Sequence, residues 1–156
     1  MCYSSSMAMA MDYIDPDAIE GDDDWYLNEV FKFGDSVSST AQVEAAESLG
    51  FTVAFKTDLT QEALEAQLDL GMPIPVGILH KGGVDKPTGG GHWVCVIGYD
   101  ETHYDVHDPF GELELVSGGY SKAGPEDGKF QRYSKVNFSK RWEIEGPGSG
   151  WGMIFR

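Results

Sequence analysis

Cys2 and His92 are the residues of this chain with the plainest capacity for covalent chemistry. Residues 2–14 are good or tolerable helix formers with no Gly or Pro before Pro16, which predicts a helix with Cys2 at its N-terminus. There the partial positive charge of the helix favours the thiolate, the nucleophilic form of cysteine. A cysteine near a chain start is a weak signal alone, so its partner decides. His92 follows Gly89-Gly90-Gly91 and opens the apolar run Trp93-Val94-Cys95-Val96-Ile97, which places its ring at a strand edge with little side-chain bulk upstream. A strand from His92 to Tyr99 turns at Asp100-Glu101-Thr102 and returns through Tyr104, bringing Asp108 back to within about two residues of His92. A carboxylate at that place can accept from one imidazole nitrogen, fix the tautomer and stabilise the imidazolium formed when the ring takes a thiol proton. Cys2, His92 and Asp108 then read as nucleophile, general base and orienting group of an acyl-transfer site. Each also has a plainer reading: an incidental thiol, a histidine capping its strand, and a turn residue in Asp108-Pro109-Phe110-Gly111. The last is compatible with a catalytic role.

Other candidates are less specific. Cys95, inside its apolar run, is expected to be a buried inert thiol and not a disulfide partner of Cys2. His103 and His107 stand four apart and, with His80, suggest metal ligands only formally, since neither a cysteine pair nor an HExxH pattern accompanies them; no metal and no organic cofactor is expected. The acidic stretch 15–24 has Ile19 where an EF-hand requires an oxygen ligand. Trp25, Trp93, Trp142 and Trp151 read as core or rim packing, and Met7, Met9 and Met11 as packing filler.

At 156 residues and 41% apolar composition the chain fits one folded domain spanning 1–156. A net charge of −15, with eleven Lys and Arg residues that form no run, argues against nucleic-acid binding. No apolar run approaches a membrane span and the N-terminus has no secretory pattern, so the expected location is the cytoplasm of the producing cell unless another system releases the protein.

The elements that must carry these residues follow from local pattern. Helices are predicted at 2–14, 25–33, 39–49 (opened by a Ser39/Gln42 capping box) and 63–70 (begun at Asp58 and Gln61), with a strand at 51–55. After Gly71 short apolar runs at 74–79, 93–99, 104–106, 113–116 and 151–155 alternate with Gly-rich turns and read as antiparallel sheet. The layout is α+β, helices first and sheet second, with the Gly-rich segments 82–91 and 146–150 as loops beside a site or surface.

On these residues the chain resembles the C39-like peptidases of the papain superfamily: Cys2-Tyr3-Ser4-Ser5-Ser6-Met7-Ala8-Met9, Gly90-Gly91-His92-Trp93-Val94-Cys95-Val96-Ile97-Gly98-Tyr99 and His107-Asp108-Pro109-Phe110-Gly111. The His92 and Asp108 segments are the more specific, the Cys2 segment the more degenerate. Residues 71–82 and the closing Gly148-Ser149-Gly150-Trp151 look like phage-encoded C39-like lysins of viruses of marine cyanobacteria. The resemblance implies a papain-like fold, a catalytic triad on Cys2, His92 and Asp108, and peptide bonds of peptidoglycan as substrate, reached after a membrane pore opens late in infection. Leader-cleaving C39 relatives imply instead a peptide or protein substrate. One departure is expected to matter. The family supplies a glutamine several residues before the nucleophile to hold the oxyanion, whereas here only Met1 precedes Cys2. Loss of one such donor typically costs about 10²–10³ in rate, which leaves a truncated or catalytically impaired binding module as the rival reading.

Overall fold

The computed structural model describes residues 2–156. Helix α1 (Cys2–Ile14) begins at the candidate nucleophile and buries Met7 and Met11, one helical turn apart, together with Tyr3, Ser4, Ser6, Ala8 and Ala10. A short 3-10 turn, Pro16–Ala18, interrupts the acidic stretch, and α2 (Asp23–Phe31) starts two residues earlier than the sequence pattern implies. The reason is the cap: the Asp22 carboxylate accepts from the Trp25 N–H, and Asp23 and Asp24 fall in the first turn, where the helix dipole favours negative charge.

Helix α3 (Ser39–Ser48) is capped by Ser38, whose hydroxyl accepts from the Ala41 N–H, and not by Ser39. Gln42, expected to close a capping box, is buried instead and ties the helical layer together. Its Oε1 accepts from Tyr26 Oη at 2.9 Å, and its Nε2 donates to Ser4 Oγ and to the Ser36 carbonyl, each at 2.9 Å. Strand β1 (Val53–Leu59) starts and ends later than the apolar pattern of 51–55 implies, so α4 (Gln61–Asp69) is capped by Thr60 and not by Asp58.

Strands β2 (Ile74–Ile78), β3 (His92–Tyr99), β4 (His103–His107), β5 (Gly111–Leu113), β6 (Tyr120–Ala123), β7 (Gln131–Ser134) and β8 (Gly150–Phe155) complete the sheet structure. Six form one antiparallel sheet in the order β1-β8-β2-β3-β4-β7, while β5 and β6 make a separate hairpin. The strand expected at 113–116 lies instead at Gly111–Leu113, sharing only Leu113 with it, and β6 and β7 are strands that the apolar pattern did not indicate. A further correction is α5 (Lys135–Trp142), a helix in the half of the chain read as sheet. Ser134 caps it, and Phe138, Arg141 and Trp142 are its buried side chains.

Side chains alternate across β3. Trp93, Cys95 and Ile97 pack with α1, α2, α3 and the ends of β1 and β8, whereas Val94 and Val96 join Ile74, Val76, Tyr104, Val106, Phe138 and Trp142 in a second core on the opposite face. The central strand is buried on both faces, so its position relative to α1 is over-determined. Among the described residues no helix is long and apolar enough to cross a membrane.

Gln42→Ala removes the side-chain amide that Tyr26 Oη, Ser4 Oγ and the Ser36 carbonyl share. It is expected to lower unfolding free energy by about 2–4 kcal/mol, read from urea titration followed by circular dichroism.

Candidate functional site

Cys2, His92 and Asp108 come from a helix N-terminus, the first residue of β3 and the residue after β4. Their assembly depends on two registers. Tyr3, next to Cys2, stacks on Trp93, next to His92, with ring centroids 3.8 Å apart and planes 7° from parallel; its hydroxyl donates to Ser39 Oγ at 2.9 Å. The Trp93 N–H donates to Cys2 Sγ at 3.4 Å. On the other side, β3 and β4 pair Cys95 with His107, so one more step along each strand brings Asp108 beside the start of β3, within the two-residue range that spacing implies. A bulge between Val96 and Gly98 absorbs one residue of register on the way.

His92 is fully buried and Asp108 is 1% exposed. His92 Nε2 lies 2.7 Å from Asp108 Oδ1, which leaves Nδ1 as the ring nitrogen available to Cys2. Phe110 stacks on the imidazole at 4.2 Å between centroids and covers one face of the ring. Burial by itself raises the Cys2 thiol, but the hydrogen bond and charge of His92, with the Trp93 N–H, outweigh it and hold the thiol below its ordinary value. For His92 burial favours the neutral ring, yet Asp108 and Cys2 together raise it above the usual histidine range. Both shifts favour the charged forms, thiolate and imidazolium. Cys95 behaves oppositely: it is fully buried, and burial pushes its thiol up to about 12.

The Asp108 carboxylate is held by donors that sequence reasoning missed. Oδ1 accepts from the Phe110 N–H at 3.0 Å; Oδ2 accepts from Tyr120 Oη and Tyr133 Oη, each at 2.9 Å. Burial, then the Asp108 charge, drives both phenols far above their ordinary range, so both remain donors at any working pH. The expected turn forms as well, with the Gly111 N–H donating to the Asp108 carbonyl at 3.2 Å, so Asp108 is at once a turn residue and the histidine's partner. Gly128 seals the back of this loop. Its carbonyl accepts from the Asp108 N–H at 2.8 Å, and a methyl group there would overlap the Asp108 carbonyl oxygen.

His80 is also part of this environment. Its ring lies 5.1 Å from that of His92 and 5.9 Å from those of Phe110 and Tyr120, and burial, then the nearby His92 charge, holds it below the usual histidine range. The loop that carries it is clamped by Arg141 of α5. This fully buried guanidinium donates to the carbonyls of Leu79, Lys81, Gly82 and Leu115 at 2.7–3.2 Å. His103 and His107 lie at opposite ends of β4 with partners of their own, Thr102 Oγ1 and the Phe130 N–H. Among the described residues no group of three histidine, cysteine or acidic side chains is placed to hold a metal ion.

From Cys2 a cleft of about 630 Å³ runs between the helical layer and the sheet, its far wall built by Gly77, the Gly89-Gly90-Gly91 run and the 144–151 segment. Both Gly-rich loops expected to border a site therefore do so. Glycines at 89 and 91 have left-handed φ values of 113° and 92°, a conformation that side-chain-bearing residues rarely adopt.

The sequence matches the Peptidase_C39 like family over residues 1–148. No curated protein sequence matches it. Among solved structures it is similar to the peptidase domain of Streptococcus ComA, a bifunctional ABC transporter involved in a quorum-sensing pathway: 19% identity, TM-score 0.63, 99% of this chain and 89% of that one covered. It is also similar to a putative C39-like peptidase from Bacillus anthracis, at 16% identity, TM-score 0.65, and coverage of 99% and 88%. At such identities the likeness establishes the fold, which is the papain-like α+β arrangement expected from the sequence.

Two outcomes follow for pH dependence. Iodoacetamide should alkylate Cys2 well below the pH at which an ordinary thiol reacts, and His92→Ala should return that reactivity to the ordinary thiol range. Because Asp108 raises the His92 pKa, Asp108→Asn should move the alkaline loss of the imidazolium to lower pH; mass-spectrometric rates across pH, with Cys95 as the unreactive internal reference, read both.

Proposed function

The chain belongs to the C39-like family of cysteine peptidases, and from that premise we propose that Cys2, His92 and Asp108 are its catalytic triad and that it is a phage lysin hydrolysing peptide bonds of peptidoglycan. One observation carries the triad: a single buried imidazole stands between a thiol at a helix N-terminus and a carboxylate 2.7 Å away. The wall as substrate is supported by the sequence likeness of residues 71–82 and 148–151 to phage C39-like lysins.

In the proposed reaction the Cys2 thiolate attacks an amide carbonyl, forming a tetrahedral oxyanion. The first N–H groups of a helix have no intrahelical acceptor, so those at the start of α1, including that of Cys2, are suited to stabilise it. The His92 imidazolium gives its proton to the leaving amine, which departs and leaves a thioester on Cys2. Water then attacks the thioester as His92 takes its proton; the thiolate leaves, the acid product is released and the imidazolium is restored. Asp108 holds the ring in one orientation through both steps, and Phe110 limits water around it. The protein is made in the host cytoplasm and reaches the wall once a pore opens.

The test is release of new amino groups from purified peptidoglycan. The wild type should release them, Cys2→Ala should release none above background, and His92→Ala should be slowed by about 10²–10⁴-fold. No release by a wild type whose Cys2 is nonetheless alkylated at low pH would exclude the wall and leave a peptidase of other peptides. No release together with ordinary thiol reactivity would favour a binding module.

A further inference from the structure

The cleft beside Cys2 carries more information than its size. Its walls are largely apolar and aromatic, with Tyr3, Trp93 and Trp151 among them, and among the described residues the one ionisable side chain on its lining apart from Cys2 and Tyr3 is the carboxylate of Glu145. That carboxylate takes part in no hydrogen bond or ion pair among the described residues, although the loop around it is bonded throughout. Glu143 Oε2 accepts from the Gly148 N–H at 2.7 Å, and Glu143 Oε1 from Gln61 Nε2 at 3.3 Å. Ser149 Oγ accepts from the Glu145 N–H at 3.1 Å and donates to the Gly146 carbonyl at 2.6 Å. Trp142 Nε1, at the base of the loop, donates to the Trp151 carbonyl at 2.9 Å.

These bonds, with left-handed glycines at 146 and 148, pre-organise the loop backbone and so place Glu145 at the cleft before a ligand arrives. Like most acidic residues of this chain, Glu145 has no cationic partner among the described residues; what sets it apart is its place on the cleft lining, exposed and open to a cation that a ligand brings. An aromatic-lined cleft with an unpaired carboxylate on its lining suits an aliphatic stem with a cationic tip. The half-exposed Trp151 is open to pack on the methylenes and attract the cation, Trp93, one face of which is taken by Tyr3, lines the wall, and the carboxylate accepts from the cation.

We infer that this cleft selects peptides bearing an amine-tipped side chain of lysine type next to the cleaved bond, with Glu145 as the specificity-determining residue. The inference rests on the peptidase reading of Cys2 and specifies which peptides that site takes.

The test reads occupancy of the cleft as protection of Cys2 and needs no turnover. Iodoacetamide alkylation of Cys2 is timed in the presence of acetyl-Gly-Lys-Gly-amide, or of the same peptide with norleucine, which keeps the stem and removes the charge. In the wild type the lysine peptide should half-protect Cys2 at a concentration at least about tenfold lower than the norleucine peptide, the scale of one charge-assisted contact. In Glu145→Gln the two should become equal, and in Glu145→Lys a glutamate-bearing peptide should protect best. Equal protection by lysine and norleucine in the wild type, a lysine preference that survives Glu145→Gln, or no protection by either peptide would overturn the inference, leaving the peptidase reading intact so long as Cys2 reacts at low pH. Ordinary thiol reactivity of Cys2 would instead remove the peptidase reading and the inference with it.

Discussion

The contact on which the rest of this structure depends is the 2.7 Å approach of Asp108 to His92, made entirely out of water. A buried carboxylate is costly unless its oxygens are satisfied, and removing partners from such a group typically costs several kcal/mol. Here the donors are drawn from separate parts of the second half of the chain: His92 from β3, the Phe110 N–H from the turn, Tyr120 from β6 and Tyr133 from β7. That explains why a long excursion lies between β4 and β7. Its hairpin delivers Tyr120, and its return delivers Gly128 against the back of Asp108 and then Tyr133 beneath it. The fixed carboxylate in turn fixes the ring, and the fixed ring determines where a thiol must stand to share its proton.

The thiol is supplied by the other half of the molecule. Cys2 meets His92 because α1 packs on one face of β3, with Tyr3 stacked on Trp93 and the buried Gln42 joining α1 to α2 and α3. The site is thus a junction between a helical layer and a sheet, each rigid for its own reasons. The cleft is the remaining space between them. α5 and its Arg141 hold the loop after β2 from behind, and the loop before β8 closes the far end.

Much of this was legible in the residues. Helix α1, the β3–β4 hairpin and the spacing from His92 to Asp108 follow from local pattern, because a strand, a three-residue turn and a return leave little freedom in register. The Gly-rich runs before His92 and before Trp151 announced loops at the cleft for the same local reason. The donors to Asp108 were not legible. Tyr120 and Tyr133 lie in short strands whose pattern, Tyr-Ser-Lys-Ala and Gln-Arg-Tyr-Ser, is dominated by polar residues, and their burial follows from tertiary packing alone. Helix α5 escaped because eight residues that include Val, Asn and Ser have weak intrinsic preference, and its stability comes from burying Phe138, Arg141 and Trp142. Gln42 carried a helix-start signal while its side chain served the interior. Even so, one chemical requirement pointed beyond local pattern: a carboxylate expected to orient a histidine away from water needs donors, and tyrosine is one of the neutral residues that can supply them, with a long reach.

The central claim is that Cys2 and His92 share one proton as a coupled pair. Its most direct test is the nuclear magnetic resonance titration of the His92 ring, with Cys2 free and with Cys2 blocked as its methyl disulfide. If the pair exists, blocking the thiol removes the negative charge that helps to hold the imidazolium, and the His92 pKa should fall by at least about one unit, equivalent to about 1.4 kcal/mol of coupling. A His92 titration that does not move when Cys2 is blocked would mean that the thiol and the imidazole ionise independently, and would contradict the account.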